Sequence, residues 1–321
     1  MGTLKLTKTY LQAKGKIRKI EIKSRKIKDK LWISYNILWE IHRISTIYFK
    51  ISKRRGDFMK SYPQGEFERI DDLQLKGLKI IQNIQKFCFG IDAVLLANFA
   101  AQDLGDKDKV LDLGTGTGII PLLLWGKVEP QEMIGLEIQR DMVEMAKRSV
   151  ALNDLEDKIQ ILEGDIKSPP SQLISNTYDA IVTNPPYMEN NKGLTNPTEG
   201  KAIARHEILC NLEDITRTTK RLLKPKGKFY IVHRPQRLVD ILSTMRAVNI
   251  EPKKLRLVHP AQDKAPNLVL IQGVKGGKPH LIVEKPLYVY QEDGDYTKEI
   301  YEIYGWKKIY GLKEERGKKN D

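Results

Sequence analysis

Cysteine is scarce in this sequence. Its two copies, Cys88 and Cys210, stand far apart and in no CxxC spacing, which argues against a disulfide scaffold and against a zinc site. Both read as reduced core thiols of a cytoplasmic protein, and no metal is expected. Long hydrophobic runs are lacking as well. The most apolar early stretch, residues 31–51, is interrupted by Glu40, His42, Arg43 and Lys50, and no small-residue cleavage site follows it. That pattern suits neither a membrane span nor a secretion signal. Acidic residues are the other shortage: 41 Asp and Glu face 55 Lys and Arg, leaving a net charge of +14. An excess of that sign suggests a polyanionic partner, of which nucleic acid is the usual one.

The excess is not spread evenly. Residues 1–58 hold 16 Lys and Arg against the four acids Glu21, Asp29, Glu40 and Asp57, so +12 of the total lies there and +2 in the remaining 263 residues. This leader has no proline and no motif connecting it to the rest. Three readings compete: a basic arm that neutralises RNA phosphates, an amphipathic surface helix near 31–51, and translated AT-rich DNA upstream of a gene. The third is preferred, because Arg54-Arg55 is encodable by AGGAGG, a ribosome-binding sequence, at a suitable distance before Met59. The expected organisation is a leader, 1–58, outside the native protein and one domain, 59–321.

From Ser61 onward, short apolar runs alternate with helical periodicity, as βαβ units do. Strands are predicted at 109–113, 133–138, 159–163, 178–183, 227–233, 255–259 and 268–273. Helices are predicted between them at 118–125, 140–153, 205–223 and 235–248. A hairpin is expected from 75 to 89, turning about Asn83, and Asp92 reads as the N-cap of an apolar helix. The fold class that follows is α/β, a Rossmann-like, mostly parallel seven-stranded doubly wound sheet with a small N-terminal hairpin. The polar connection from Met188 to Lys201 is long for such a fold, and connections of that length tend to carry function.

The segment KVLDLGTGTGII runs a strand into Asp112, then a loop of Gly114, Thr115, Gly116, Thr117 and Gly118, then a helix. Glycines let a backbone turn sharply and approach a ligand that a Cβ would hold off. Dinucleotide sites use GxGxxG, whereas this spacing is GxGxG, which favours S-adenosylmethionine over NAD. Alone, the cluster is compatible with an ordinary tight turn. Its context adds weight: Glu137 ends the next strand, where a carboxylate suits ribose hydroxyls, and Asp165 follows the third, where it suits an adenine amine. Their ordinary alternatives are a strand-end surface acid and a turn aspartate. Three acids at three successive strand ends, on the edge where such sheets bind ligands, make the joint coincidence the weaker reading.

The fourth strand delivers Asn184, Pro185, Pro186 and Tyr187 to the same edge. Tandem prolines can simply end strand pairing, but these four residues resemble the (Asn/Asp)-Pro-Pro-(Tyr/Phe) signature of amino-directed methyltransferases. An exocyclic amine has its lone pair delocalised into the ring, so it is a poor nucleophile until both N–H groups are held. The Asn184 side-chain carbonyl and the Pro185 main-chain carbonyl supply the two acceptors, and Tyr187 can stack on the base. No strong general base is required, since alignment is most of the catalysis. Between 87 and 92, the residues around Phe89 read either as a cover for the cofactor or as core aromatics with a cap. Arg205, His206 and Glu207 read either as an RNA clamp or as helix-start ion pairs.

Across 68–306 the chain resembles the bacterial tRNA1(Val) adenine-37-N6 methyltransferases, through ERIDDL, FCFGIDAVLLANF, LDLGTGTG, TNPPY, ARHE, VHRP and NLVLIQGVKGGKP. The resemblance implies methylation of the N6 amine of adenine 37 in a valine tRNA, by an otherwise single-domain enzyme; a monomer in the cytoplasm is expected. Its alternatives are a protein glutamine N5-methyltransferase, an rRNA guanine-N2 methyltransferase and a non-catalytic RNA-binding module. RNA would need a local patch, for which Lys224, Lys226, Lys228, Arg234, Arg237, Lys253, Lys254, Arg256, Lys275 and Lys278 are the candidates.

Overall fold

The computed structural model describes residues 65, 67–86, 88–187 and 210–305. The leader, the Met59 start, the Met188 loop and Arg205 to Glu207 lie outside the described residues. A central sheet holds nine strands in the order β10-β8-β9-β7-β6-β3-β4-β5, with β11 also on β8. Five of them form its parallel body: β3 (Lys109–Leu113), β4 (Glu132–Glu137), β5 (Ile159–Glu163), β6 (Tyr178–Thr183) and β7 (Leu223–His233). Antiparallel β9 (Leu268–Lys275) is inserted between β7 and β8 (Ile250–His259). Two-residue strands β10 (Ile282–Val283) and β11 (Leu287–Tyr288) extend the far edge and were not predicted.

Strand alternation feeds two cores, one on each face. Val110, Met133, Ala180, Val182, Tyr230 and Val232 point to the face covered by α1 (Ile91–Ala101), α2 (Ile119–Val128) and α3 (Arg140–Leu152). Leu111, Ile134, Ile181, Phe229 and Ile231 point to the face of α4 (Leu212–Leu222) and α5 (Leu238–Ala247). Near-continuous apolar strands are what a parallel sheet covered on both faces requires, and each fully buried aliphatic side chain contributes about 1.5–3 kcal/mol.

Four expectations need correction. The N-terminal hairpin pairs β1 (Glu68–Asp72) with β2 (Lys79–Asn83), so KIIQN turns back on the segment before it, not on KFCF after Asn83. The left-handed residues Gln74, Lys76 and Gly77 make that turn, while the Asn83 side chain accepts from the Gln85 N–H and ends the strand. The other edge of β2 is capped by α3, where Ser149 Oγ accepts from Ile81 N–H and the Asn153 amide bonds both Lys79 main-chain groups. Helix α4 starts at Leu212 rather than Arg205, because Asn211 is extended and forms a reciprocal capping box with Asp214. Strand β8 begins at Ile250, five residues early, and its Pro252 sits at a register shift where a missing N–H is tolerated. Asp92 is not a cap: Gly90 is the extended N-cap residue of α1 and has no side-chain cap.

Candidate active site

The parallel register brings the sequence-predicted residues to one edge. Leu113 pairs with both Leu136 and Thr183, and Glu137 pairs with Glu163. Gly114, Asn184, Glu137 and Glu163 therefore stand at one level at the end of the sheet, with Gly164 one residue beyond, on strands about 5 Å apart. Thr183 Oγ1 donates to the Leu113 carbonyl at 2.8 Å, tying the start of the glycine loop to the start of the Asn-Pro-Pro-Tyr turn.

The loop is drawn across the end of β4, since the Gly114 and Thr115 N–H groups both donate to the Leu136 carbonyl, at 2.8 and 3.0 Å. Gly114 and Gly116 have φ of +76° and +56°, and a Cβ on either would project into open space. Gly118, at φ +84°, lets α2 begin against Ala146 of α3. Thr115 is not exposed on the loop; its side chain is buried against Gly135, where a Cβ would come within 2.8 Å.

Glu137 is buried and holds the loop in place. One carboxylate oxygen accepts from Gly116 N–H at 2.9 Å, and the other from Ile138 and Gln139 N–H at 3.0 and 2.9 Å. A carboxylate offers about four lone-pair sites, so Glu137 Oε2 keeps acceptor capacity for a hydroxyl. Asp165 is half-buried, with Oδ1 accepting from Lys167 N–H at 2.9 Å.

Asp112 differs from both. It is fully buried, and neither carboxylate oxygen has a hydrogen-bond partner among the described residues, nor does the neighbouring Thr115 Oγ1. Burial, with a smaller push from the Glu137 charge, raises its pKa to about 7 against the opposing influence of Thr115. An unpaired buried carboxylate is costly unless something complements it.

At the fourth strand end, the Tyr187 hydroxyl lies 2.7 Å from Asn184 Oδ1 and 3.1 Å from Asp92 Oδ2. Asp92 is buried in the first turn of α1. The Arg234 guanidinium lies 5.1 Å from the Tyr187 ring centroid and the His233 ring 5.0 Å away at 58°. Burial, then the Asp92 charge, holds the Tyr187 hydroxyl well above its ordinary pKa. Burial, then Arg237, lowers His233 to about 4, and its Nδ1 accepts from Arg234 N–H. The imidazole is neutral at pH 7, with its proton on Nε2. Sequence reasoning missed Asp92, His233 and Arg234 as neighbours of Tyr187. The available signal was Gly90, whose absent Cβ would stand 2.9 Å from Asp92 Oδ1.

Residues 90–248 match the family described as Methyltransferase small domain. The tRNA1(Val) (adenine(37)-N6)-methyltransferase of Dyadobacter fermentans is 30% identical over 206 residues, 63% of this chain and 82% of the relative. The chain belongs to this tRNA1(Val) (adenine(37)-N6)-methyltransferase family. Its relative in Porphyromonas gingivalis is 32% identical over 185 residues, 56% of this chain and 72% of its own length. Among solved structures, a predicted O-methyltransferase of Agrobacterium tumefaciens has a TM-score of 0.53 at 22% identity, over 67% of this chain and 95% of that one. That likeness bears on the fold alone.

As a member of this methyltransferase family, the chain uses S-adenosylmethionine. The residues suit it. The open loop at Gly114 and Gly116 admits close backbone approach, Asp112 is an unpaired carboxylate complementary to a cationic amine, and Glu137 has an acceptor left for ribose hydroxyls. Among the described residues no group of three His, Cys, Asp or Glu is placed to hold a metal, and no helix is long and apolar enough to cross a membrane.

The late basic residues do not form one patch. Lys224 pairs with Asp179, Lys254 with Asp103, and Arg256 with Glu299. Lys228 donates to the Asp103 carbonyl, Lys226 to that of Gly276 and Lys253 to that of Lys278. Lys275 donates to the carbonyls of Lys220 and Leu223 that end α4. Arg234 and Arg237, which follow β7, stand on the edge that carries Asn184; Arg256 reaches the same level through the β7–β9–β8 register, but Glu299 pairs its charge. Sequence proximity grouped side chains that strand direction separates.

Proposed function

We propose that the chain methylates the N6 amine of adenine 37 in a valine tRNA, acting as a cytoplasmic monomer. The observation that carries this reading is the shared level of Gly114 and Asn184, each one residue beyond the paired Leu113 and Thr183. When bound, the cofactor supplies an electrophilic sulfonium methyl. The protein's part is alignment: the Asn184 carbonyl and the Pro185 main-chain carbonyl accept the two N–H groups, so the amine pyramidalises and its lone pair becomes available. With the cofactor bound, the nitrogen would take the methyl carbon as its bond to sulfur breaks, the sulfonium leaving as a neutral thioether, and the methylated nitrogen would then shed one proton to water. An unstacked loop base such as one beside an anticodon reaches this rim more readily than a paired one. Relatives named for adenine 37 of tRNA1(Val) support the substrate choice.

The decisive experiment offers labelled S-adenosylmethionine in parallel to bulk tRNA, rRNA, DNA and a release factor, with nucleoside mass analysis of whatever accepts label. N6-methyladenosine in a valine tRNA is the expected product. Label confined to protein glutamine or to guanine would overturn the assignment.

A further inference from the structure

One hydroxyl proton cannot serve two acceptors. The Tyr187 oxygen stands between Asn184 Oδ1 at 2.7 Å and Asp92 Oδ2 at 3.1 Å, and the tyrosine stays protonated because burial and the Asp92 charge oppose its ionisation. Asp92 is fixed for that role. Its Oδ1 accepts from Ala93 N–H at 2.9 Å, and the missing Cβ of Gly90 clears the space it occupies. An ionised carboxylate is a stronger acceptor than an amide oxygen. The two ends of an Asn amide occupy nearly the same volume, so the group turns to satisfy whichever hydrogen bond its neighbour dictates.

We propose that Asp92 is a positioning residue for methyl transfer, acting on Asn184 through Tyr187. Asp92 Oδ2 accepts the hydrogen bond of the tyrosine O–H, the tyrosine oxygen then accepts from Asn184 Nδ2, and the Asn184 carbonyl oxygen is turned outward as the acceptor for the amine. With the proton directed to Asn184 instead, the amide would present N–H to an N–H and repel the substrate nitrogen. This inference rests on the proposed function and adds to it a chain of three residues whose ends are 92 positions apart.

The test compares kcat and KM of full-length wild type, Asp92→Asn, Tyr187→Phe, the double variant and Asn184→Ala on the nucleic acid that accepts label. Asp92→Asn keeps the shape but can donate to the tyrosine oxygen, which reverses the chain. A misplaced reacting group costs on the order of 100-fold; we expect that loss in kcat for Asp92→Asn with KM for S-adenosylmethionine unchanged. Tyr187→Phe should lose a comparable factor, and the double variant should lose no more than the worse single one, since all act on one amide. Losses that multiply, or a Tyr187→Phe enzyme with wild-type kcat, would overturn the chain. Should Asp92→Asn melt early, Tyr187→Phe decides alone, because it deletes a single oxygen. An inert Asn184→Ala beside fully active Asp92→Asn and Tyr187→Phe enzymes sinks this inference but spares the proposed function. Full activity of Asn184→Ala sinks both.

Discussion

The two ends of the parallel strands are built on opposite terms. At the amino end, polar groups are matched: Asp103 takes Lys254 on both oxygens at 2.9 Å together with Gln272 and Tyr230, and Asp179 takes Lys224 and the Lys109 N–H. At the carboxyl end, Asp112 and Thr115 are buried with no hydrogen-bond partner among the described residues, Glu137 braces its own loop while keeping an acceptor site on Oε2, and glycines sit in left-handed conformations over open space. One end stabilises the sheet. The other forgoes stability to leave donors, acceptors and room for what binds there, as functional sites commonly do.

Substitutions at each end separate these roles. The largest effect is expected at Asn184: its change to Ala should cut kcat by about 1,000-fold, the upper range for losing one preorganised polar group, with the melting temperature unchanged. A matching loss of stability would move Asn184 into the structural half. Nearly as large is the pH effect at Asp112. Between pH 3.8, its ordinary pKa, and about 7, the unfolded chain has released a proton that the folded chain retains, so stability falls as pH rises through that window. Measured without cofactor, Asp112→Asn should gain on wild type by up to about 4 kcal/mol from pH 4 to pH 8. A difference independent of pH would mean that Asp112 is not the strained group.

Asp103→Ala strands the partly buried Lys254 ammonium and should cost about 3 kcal/mol in denaturant melts, while activity per folded molecule is retained. A fall in kcat at constant folded fraction would dissolve the distinction between the two ends. The smallest effect separates two cations. Arg234→Ala should weaken tRNA binding and reduce its slope against log salt by about one; Lys254→Ala should leave the slope alone, because its charge is already neutralised by Asp103. Equal slopes for the two variants would restore a continuous basic patch.

Legibility followed the same division. The central strands of the parallel body were readable because burial on both faces demands near-continuous apolar runs, which KVLDL and YDAIVT satisfy locally, and the edge strand IQILE was readable from its alternation of buried and exposed residues. Gly114, Glu137, Asn184 and their neighbours were readable because each ends a strand, and parallel register delivers strand ends to one level. What failed was pairing across distance. Asp92 has the composition of a helix cap and becomes a partner of Tyr187 only through the approach of α1 to β6, 95 residues on. Lys224 and Lys254 carry charge in sequence whose neutralisation by Asp179 and Asp103 no local pattern announces. Pro252 reads as a strand breaker unless its place at a register shift is known.

The insertion of β9 between β7 and β8 has a consequence for synthesis of the chain. Ribosomes emit β7 and β8 before the strand that must separate them, so until Leu268–Lys275 emerges, β7 has a bare flank along Phe229, Tyr230, Ile231 and Val232, all buried in the finished protein. Chains halted short of Leu268 would keep that flank open as a template for self-association. Loss of residues 268–321 should thus show up as aggregation in the cell well before any defect in choosing an RNA.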